Sequence, residues 1–381
     1  MPTTDIVDTI HRIDRAEWDA LVGENVFESY GWLKTLEQTF IGDQKPRYFL
    51  MREEGRLIAT AACYIAHPSE QIHNIDDTLL GRFKRYASKM GISFLPAVIC
   101  APRGAFGIHL SVGKHLDSKK AESAEMELIQ TIEEFASEHR LPILFPNVMD
   151  HEISLIRSLS QRGYSKAVTF PLSFLDVEWS SFNDYLTGLK RISLNSAKII
   201  RREINKNRNE GVVIEQLEKV DGCQDRIYEL VNRNYWSHNG RPFPFRKEYF
   251  KALKENLGSD AVIYVATKKN ELIGVCVLLR RKESYYLPVI GIDHESAGND
   301  FTYFNLAYYQ PIRDAISDRI KRIYYGQALY ALKTRRGCKM SNTYTFYRPY
   351  QSVFQIAVKP WFLLLSVWYR KKAVMEVTQK G

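Results

Sequence analysis

The chain has 381 residues, 45% of them hydrophobic and 25% charged, and a formal net charge of +9. These are globular proportions, with length for two ordinary domains, and they exclude a fibrous or low-complexity chain. The uninterrupted apolar runs fall short of the ~20 residues of a membrane span. No Cys/His cluster has zinc-ligand spacing, and five cysteines without a CxxC pair point to a reducing cytoplasm. Asp5, Asp8, Asp14 and Glu17 precede any apolar stretch, unlike a signal peptide.

In chain order, residues 30–40 (YGWLKTLEQTF) read as an aromatic-led amphipathic helix. A strand at 48–51, a charged turn at 52–56 and a second strand at 57–65 follow. A helix is expected at 76–90 and a strand at 94–100. Arg103-Gly104-Ala105-Phe106-Gly107 has the composition of a phosphate-cradling loop, but a strand rather than a helix follows it, which favours a plain turn. Residues 122–139 form a helix with Met126, Leu128, Ile129, Ile132 and Phe135 on one stripe. Strand 141–145, helix 152–161 and strand 169–175 close a first domain, 1–178.

A helical link spans 179–211. Its stretch 190–208 carries seven basic residues and a single acid, Glu203. Ile192, Leu194, Ile199, Ile200 and Ile204 fall partly at helical spacing, so one face is buried, and Gly211 is the expected C-cap. Lys198, Arg202 and Lys206 stack one turn apart, able to hold an anion but equally consistent with a solvated face.

The second domain, 212–350, repeats the first. After a helix at 224–236, a polar loop carries His238, Asn239 and Arg241. Helix 247–257, strand 262–266, charged turn 267–271 and strand 272–279 then restate the earlier order, Leu57-Ile58-Ala59 matching Leu272-Ile273-Gly274. Strand 284–292, polar loop 293–300, a Tyr- and Phe-rich helix 303–317, strand 322–325, helix 329–336 and strand 343–347 follow. Arg162-Gly163-Tyr164 recurs as Arg336-Gly337-Cys338. A repeat this long is two domains of one fold, not a solenoid. In the tail, 351–381, the stretch WFLLLSVWYRKK (361–372) reads either as an interfacial membrane helix or as a helix docked on the fold.

This element order is that of a GNAT acyltransferase domain. Two in tandem with a basic helical link resemble the Fem-type and GNAT-like N-acyltransferases. The motifs are KIIRRE at 198–203; Gly240-Arg241-Pro242-Phe243 running to Tyr249-Phe250; Tyr308-Tyr309-Gln310-Pro311-Ile312 with Ala315-Ile316; and Gly326-Gln327 through Tyr330, Lys333 and Gly337. The resemblance implies an α+β fold of two tandem GNAT-like domains, each a mixed, mostly antiparallel sheet flanked by helices. It implies transfer of an acyl group from a coenzyme A thioester to a small-molecule amine, without a metal. The usual pyrophosphate loop before the central helix is absent, and 293–302 stands in its place. Aminoacyl-tRNA, the Fem-type donor, therefore stays open beside acyl-CoA. A rival of another class is an inert module that binds an anionic or membrane partner through 190–208 and the tail.

In that fold the central parallel strands splay, leaving unpaired backbone donors, here at 289–293 and 322–327. Asp293 is placed to orient or deprotonate an amine, or to cap a loop. Tyr309 is the candidate proton donor to a leaving group, and Gln327 follows the second strand. Tyr303, Tyr330 and Lys333 are candidate substrate contacts, with His238 and with Arg241 as a carboxylate clamp. Tyr303 sits five and six residues before Tyr308 and Tyr309, off their face of a 3.6-residue helix. No Cys or Ser has a paired base, so direct attack by the amine is expected. In the first domain Phe145-Pro146-Asn147-Val148 replaces Tyr325-Gly326-Gln327-Ala328, and Pro146 has no N–H, so that half reads as a scaffold or acceptor platform.

Overall fold

The structure, a computed structural model, describes residues 2–23, 25–42, 45–68, 75–105, 107, 109–191 and 195–378. Ile192, Leu194 and Phe106, singled out above, lie outside them. The chain divides into two compact units. The first holds Met1–Glu37, Gly42–Pro171 and Ser341–Met375; the second holds Gln38–Ile41, Leu172–Met340 and Glu376–Gly381.

The strands in chain order are β1 (Thr3–Val7), β2 (Lys45–Glu53), β3 (Arg56–Ala66), β4 (Ala97–Cys100), β5 (Ser111–Val112), β6 (Ile143–Met149), β7 (Ser165–Val168) and β8 (Leu172–Asp176). The later ones are β9 (Val213–Gln216), β10 (Ala261–Lys268), β11 (Glu271–Arg281), β12 (Ser284–Ile292), β13 (Arg322–Gly326), β14 (Lys339–Ser341) and β15 (Thr343–Arg348). The first sheet runs β1-β2-β3-β4-β6-β15-β7, with β5 beside β3; the second runs β9-β10-β11-β12-β13-β8-β14. Each is antiparallel over its first four strands, parallel at one junction (β4 with β6, β12 with β13), and antiparallel at the next (β6 with β15, β13 with β8). The sixth place in each sheet is filled from the other half of the sequence. The strand read as closing the first domain pairs with β13, and the last strand of the second pairs with β6 and β7. Unit boundaries therefore fall at 171/172 and 340/341, not at 178 and 350, and the basic link belongs to the second unit.

The repeat noticed in the sequence is a structural one. In the first hairpin the register passes from Met51↔Ala59 to Arg52↔Leu57; in the second it passes from Ala266↔Gly274 to Thr267↔Leu272. Ile58 and Ile273 are thus the extra residues of equivalent bulges. Both turns run left-handed, at Glu54-Gly55 and Lys269-Asn270, as a two-residue hairpin loop demands.

The helix Ser118–Glu138 is started by Asp117, which accepts from the N–H groups of Lys119 and Lys120. It buries Leu128, Ile129, Ile132 and Phe135 against the first sheet. The helix Gln224–Asn239 presses so closely on β12 that a Cβ at Gly291 would sit 2.7 Å from Leu230 and Val231 backbone atoms. The expected helix 76–90 is broken into Ile75–Leu80, a 3-10 turn and Lys84–Lys89. The tail forms one helix, Gln355–Thr378. Its surroundings, Ser352–Glu376, are long and apolar enough to cross a membrane by length and composition. The sequence reading missed this because polar residues interrupt every apolar run.

Candidate functional site

The two central strands of the second unit pair only from Ser284↔Arg322 to Tyr286↔Tyr324 and then part. The carboxyl ends of splayed parallel strands are where open α/β sheets bind ligands. Beyond the split the backbone must be satisfied some other way. On the β13 side Lys333 does this. Its buried Nζ donates to the carbonyls of Tyr325 at 2.9 Å, Gly326 at 3.1 Å and Gln327 at 3.1 Å. Burial pushes the Lys333 ammonium down to about 8. The turn it holds has left-handed backbone at Gly326, Ala328 and Leu329, and the last two carry side chains. Such strain persists only where the surroundings impose it.

Ala328, Leu329 and Tyr330 form one wall of a cavity of about 520 Å³, with Phe304 and Leu332 beside them. Ser196, Ile199 and Ile200 of the link helix Ser196–Asn209 form another wall. Glu203 and Arg336 also line it. They form a buried ion pair, Arg336 Nη2 to Glu203 Oε2 at 2.8 Å; Arg336 Nε donates to the Tyr309 hydroxyl at 3.2 Å, and that hydroxyl donates to Glu203. The guanidinium lies 3.9 Å from the Phe304 ring centroid. Burial raises the Tyr309 phenol far above its ordinary range, the nearby carboxylate of Glu203 adding to it against Arg336, so it stays protonated. A larger cavity, about 890 Å³, is lined in part by Tyr264, Tyr285, Asp314 and Asp318. It lies beside the paired end of β12, and its phenols already donate to its carboxylates, Tyr264 to Asp314 and Tyr285 to Asp318.

The link helix turns Ala197, Ile200, Glu203 and Asn207 inward. Asn207 donates to the Asp300 carbonyl at 3.1 Å. All seven basic residues of 190–208 are exposed, including Lys198, Arg202 and Lys206, while the one acid is buried. Arg202 and Lys206 both reach over the Phe301 ring, at 6.0 and 5.8 Å.

Asp293 takes the capping role weighed above. It accepts from the N–H groups of Glu295 and Ser296 and from the Ser296 hydroxyl, and pairs with Arg226 at 2.8 Å. Burial works to raise its carboxyl, but Arg226 and Ser296 outweigh that and hold it below the usual range. It does not line the 520 Å³ cavity, and neither does Gln327, whose side chain is exposed. Tyr330 does, and Tyr309 is reached only through Arg336 and Glu203. Tyr303 and Tyr308 do meet, with ring centroids 6.1 Å apart, because Asn305–Tyr309 is a π-helical turn and five residues then return to the same side. His238 lies in the last helical turn of Gln224–Asn239 rather than in a loop. It is exposed, and half-buried Arg241 follows the left-handed cap Gly240. Glu203, Arg336 and Phe304 were not picked from the sequence. Glu203 had a signal, as the lone acid at an inward position of a basic helix. No group of three His, Cys, Asp or Glu suited to a metal occurs among the described residues.

Residues 9–378 match the model of the FemAB-like family, described as peptidoglycan biosynthesis/recognition. Among solved structures, FemX is 12% identical, with a TM-score of 0.57 over 93% of this chain and 100% of that one. The C-terminal DUF2156 domain of an Agrobacterium fabrum protein is 13% identical, with a TM-score of 0.57 over 92% and 96%. L-PGS from Bacillus licheniformis is 13% identical, with a TM-score of 0.52 over 90% and 98%. No curated protein matches the chain in sequence. At these identities the structures speak to the fold alone.

Proposed function

Because the chain belongs to the FemAB-like family, we propose that it transfers an aminoacyl group from an aminoacyl-tRNA to an amine of a peptidoglycan precursor. The acyl end of the donor would enter the 520 Å³ cavity of the second unit. The observation that carries this reading is where phosphate can and cannot be held. A coenzyme A diphosphate needs free N–H groups at the helix starts that follow β12. Those starts are closed by the protein's own carboxylates, Asp293 on Glu295 and Ser296, and Asp300 on the N–H of Thr302 at 2.9 Å. The link helix beside the cavity instead offers an extended row of exposed cations, which suits a nucleic-acid backbone.

In the reaction the acceptor nitrogen attacks the ester carbonyl, the C–N bond forms, the C–O bond to ribose breaks, the nitrogen gives up one proton and the ribose oxygen takes one. Lys333 is a positioning residue that fixes the turn 326–329 at the cavity rim. The Glu203–Arg336–Tyr309 network sets the shape of the floor. A charged tRNA donor places the reaction in the cytoplasm, in keeping with five free cysteines.

The test compares binding of aminoacyl-tRNA and of acyl-CoA to the full chain, followed by transfer from each to a precursor peptide. Replacing Lys198, Arg202 and Lys206 by Gln should weaken tRNA binding and flatten its log–log salt slope by about two. Preferential use of acyl-CoA, with an unchanged salt slope for tRNA, would overturn the donor assignment.

A further inference from the structure

We propose that the first unit docks peripherally on an anionic lipid bilayer, through the outer face of the helix Gln355–Thr378 and the adjoining segment 75–92. This goes beyond the transfer reaction and does not depend on it. The tail helix is apolar on both sides. Its inner side is anchored: Phe362, Leu365 and Tyr369 are buried in one core with Ile75, Leu79, Leu80 and Phe94. Trp361 Nε1 donates to the Leu79 carbonyl and the Tyr369 hydroxyl to that of Thr78, both at 2.8 Å. Its outer side, which solvent would ordinarily make polar, carries Ile356 (77% exposed), Leu363 (68%), Leu364 (66%), Val367 and Val374. These recur at helical spacing, so they form one stripe about 27 Å long at 1.5 Å per residue.

The neighbouring segment, which packs on the tail helix, exposes apolar side chains of its own. Phe83 packs edge-on against Trp361, with centroids 5.7 Å apart, and beyond it Tyr86 (67%), Met90 (74%) and Ile92 are exposed. An exposed apolar surface of this extent needs a partner. The charges around it say which kind. Lys359, Arg370 and Lys371 are exposed on the tail helix, which has no acid up to Met375, and Arg82, Arg85 and Lys89 are exposed on the other segment. The acids nearby are engaged: Asp77 holds Lys84 at 2.8 Å, and Asp76 accepts from Ser93 and from the Phe94 N–H. Apolar side chains ringed by cations fit the interface of a bilayer with anionic headgroups, the helix lying in its plane. The anchoring of Phe362, Leu365 and Tyr369 to the core argues against the same helix crossing the bilayer.

The full chain is sedimented with vesicles of phosphatidylcholine alone and of phosphatidylcholine with phosphatidylglycerol. Binding should require phosphatidylglycerol and weaken as salt rises. L363S/L364S/V367S should reduce it about tenfold or more, with an unchanged melting temperature because the three side chains are already exposed. R370Q/K371Q should weaken it roughly fivefold per cation. Equal binding of the triple variant, or no vesicle binding at all, would overturn the proposal. So would a dimer in light scattering that this triple variant dissociates without any lipid effect, which would assign the face to a second copy. Retention in vesicles through an alkaline carbonate wash would overturn the peripheral mode in favour of a spanning helix.

Discussion

The two units part their parallel strands in the same way and fill the gap with opposite chemistry. In the first, β4 and β6 pair at Val98↔Ile143 and Ile99↔Leu144 and then separate. The freed Pro146 carbonyl is taken by buried His109 Nε2 at 2.5 Å, whose Nδ1 faces Glu152 at 3.1 Å. Ser111 donates to buried Glu28 at 2.5 Å nearby. In the second, the freed carbonyls of β13 are held by the lone ammonium of Lys333. Each sheet therefore meets the same backbone debt, one with an imidazole–carboxylate cluster and the other with a lysine. The lysine-held turn borders a cavity, through Ala328 and Leu329. A common scaffold thus leaves the site to a few side chains at the strand ends.

The sharpest way to break the comparison is to remove the support of the second unit's cavity. Glu203→Leu strands the Arg336 guanidinium, and should cost about 3–5 kcal/mol in urea denaturation. Glu203→Leu with Arg336→Met should recover most of it. A single-variant loss below about 1 kcal/mol would mean the pair does not organise the floor.

Next in size is Lys333→Met, which leaves three carbonyls without their donor and should cost about 2–3 kcal/mol, with a larger loss of transfer than of tRNA binding. Its pH signature is specific. Lys333 is lowered to about 8 in the fold from an ordinary 10.5, so between those values the unfolded chain binds more protons. The second unit should gain stability as pH rises through that window. Hydrogen exchange at β12 and β13 should report the gain in the native protein and lose it in Lys333→Met.

The first unit should respond with the opposite sign. Burial raises Glu28 to about 7 from 4.5, partly opposed by Ser111. Burial works to lower His109, but Glu152 outweighs it and the net shift is upward. Both groups bind more protons folded than unfolded, so stability present at the acid end is lost as pH rises from about 5 past neutrality. Exchange at β4 and β6 should quicken over that range beyond the intrinsic pH effect, and Glu28→Gln should remove part of the change. Exchange that slows instead would show the cluster carries another charge state.

The smallest effect concerns the equivalent bulges, where Ala59 and Gly274 occupy matching positions. A Cβ at Gly274 would meet the Ile292 and Leu306 methyl tips at 3.0 Å. Gly274→Ala should change stability by less than about 1 kcal/mol, since those tips can yield and the unfolded chain loses freedom. Ala59→Gly should cost about 1 kcal/mol. A large loss for Gly274→Ala would mean that the second hairpin packs more rigidly than the first.

What the sequence determined by itself is what is local. Amphipathic spacing located the helix Ser118–Glu138 and the exposed row Lys198, Arg202 and Lys206, because side chains three and four apart share a face whatever lies beyond. The recurrence of Leu-Ile-Ala as Leu-Ile-Gly marked both hairpins, because a bulge and its turn are made by adjacent residues. What only the tertiary structure decided rests on partners far apart in the chain. The exchanged strands β8 and β15 are short segments that carry no mark of which sheet they will join. The π-helical turn that brings Tyr303 to Tyr308 depends on packing rather than on a residue type. Asp293 looked like a base because its place in the chain was right, but Arg226 and the start of the next helix consume its carboxylate. Arg336 finds Glu203 across 133 residues, and that pair lines the cavity because burying either charge alone would cost more than the fold can spare.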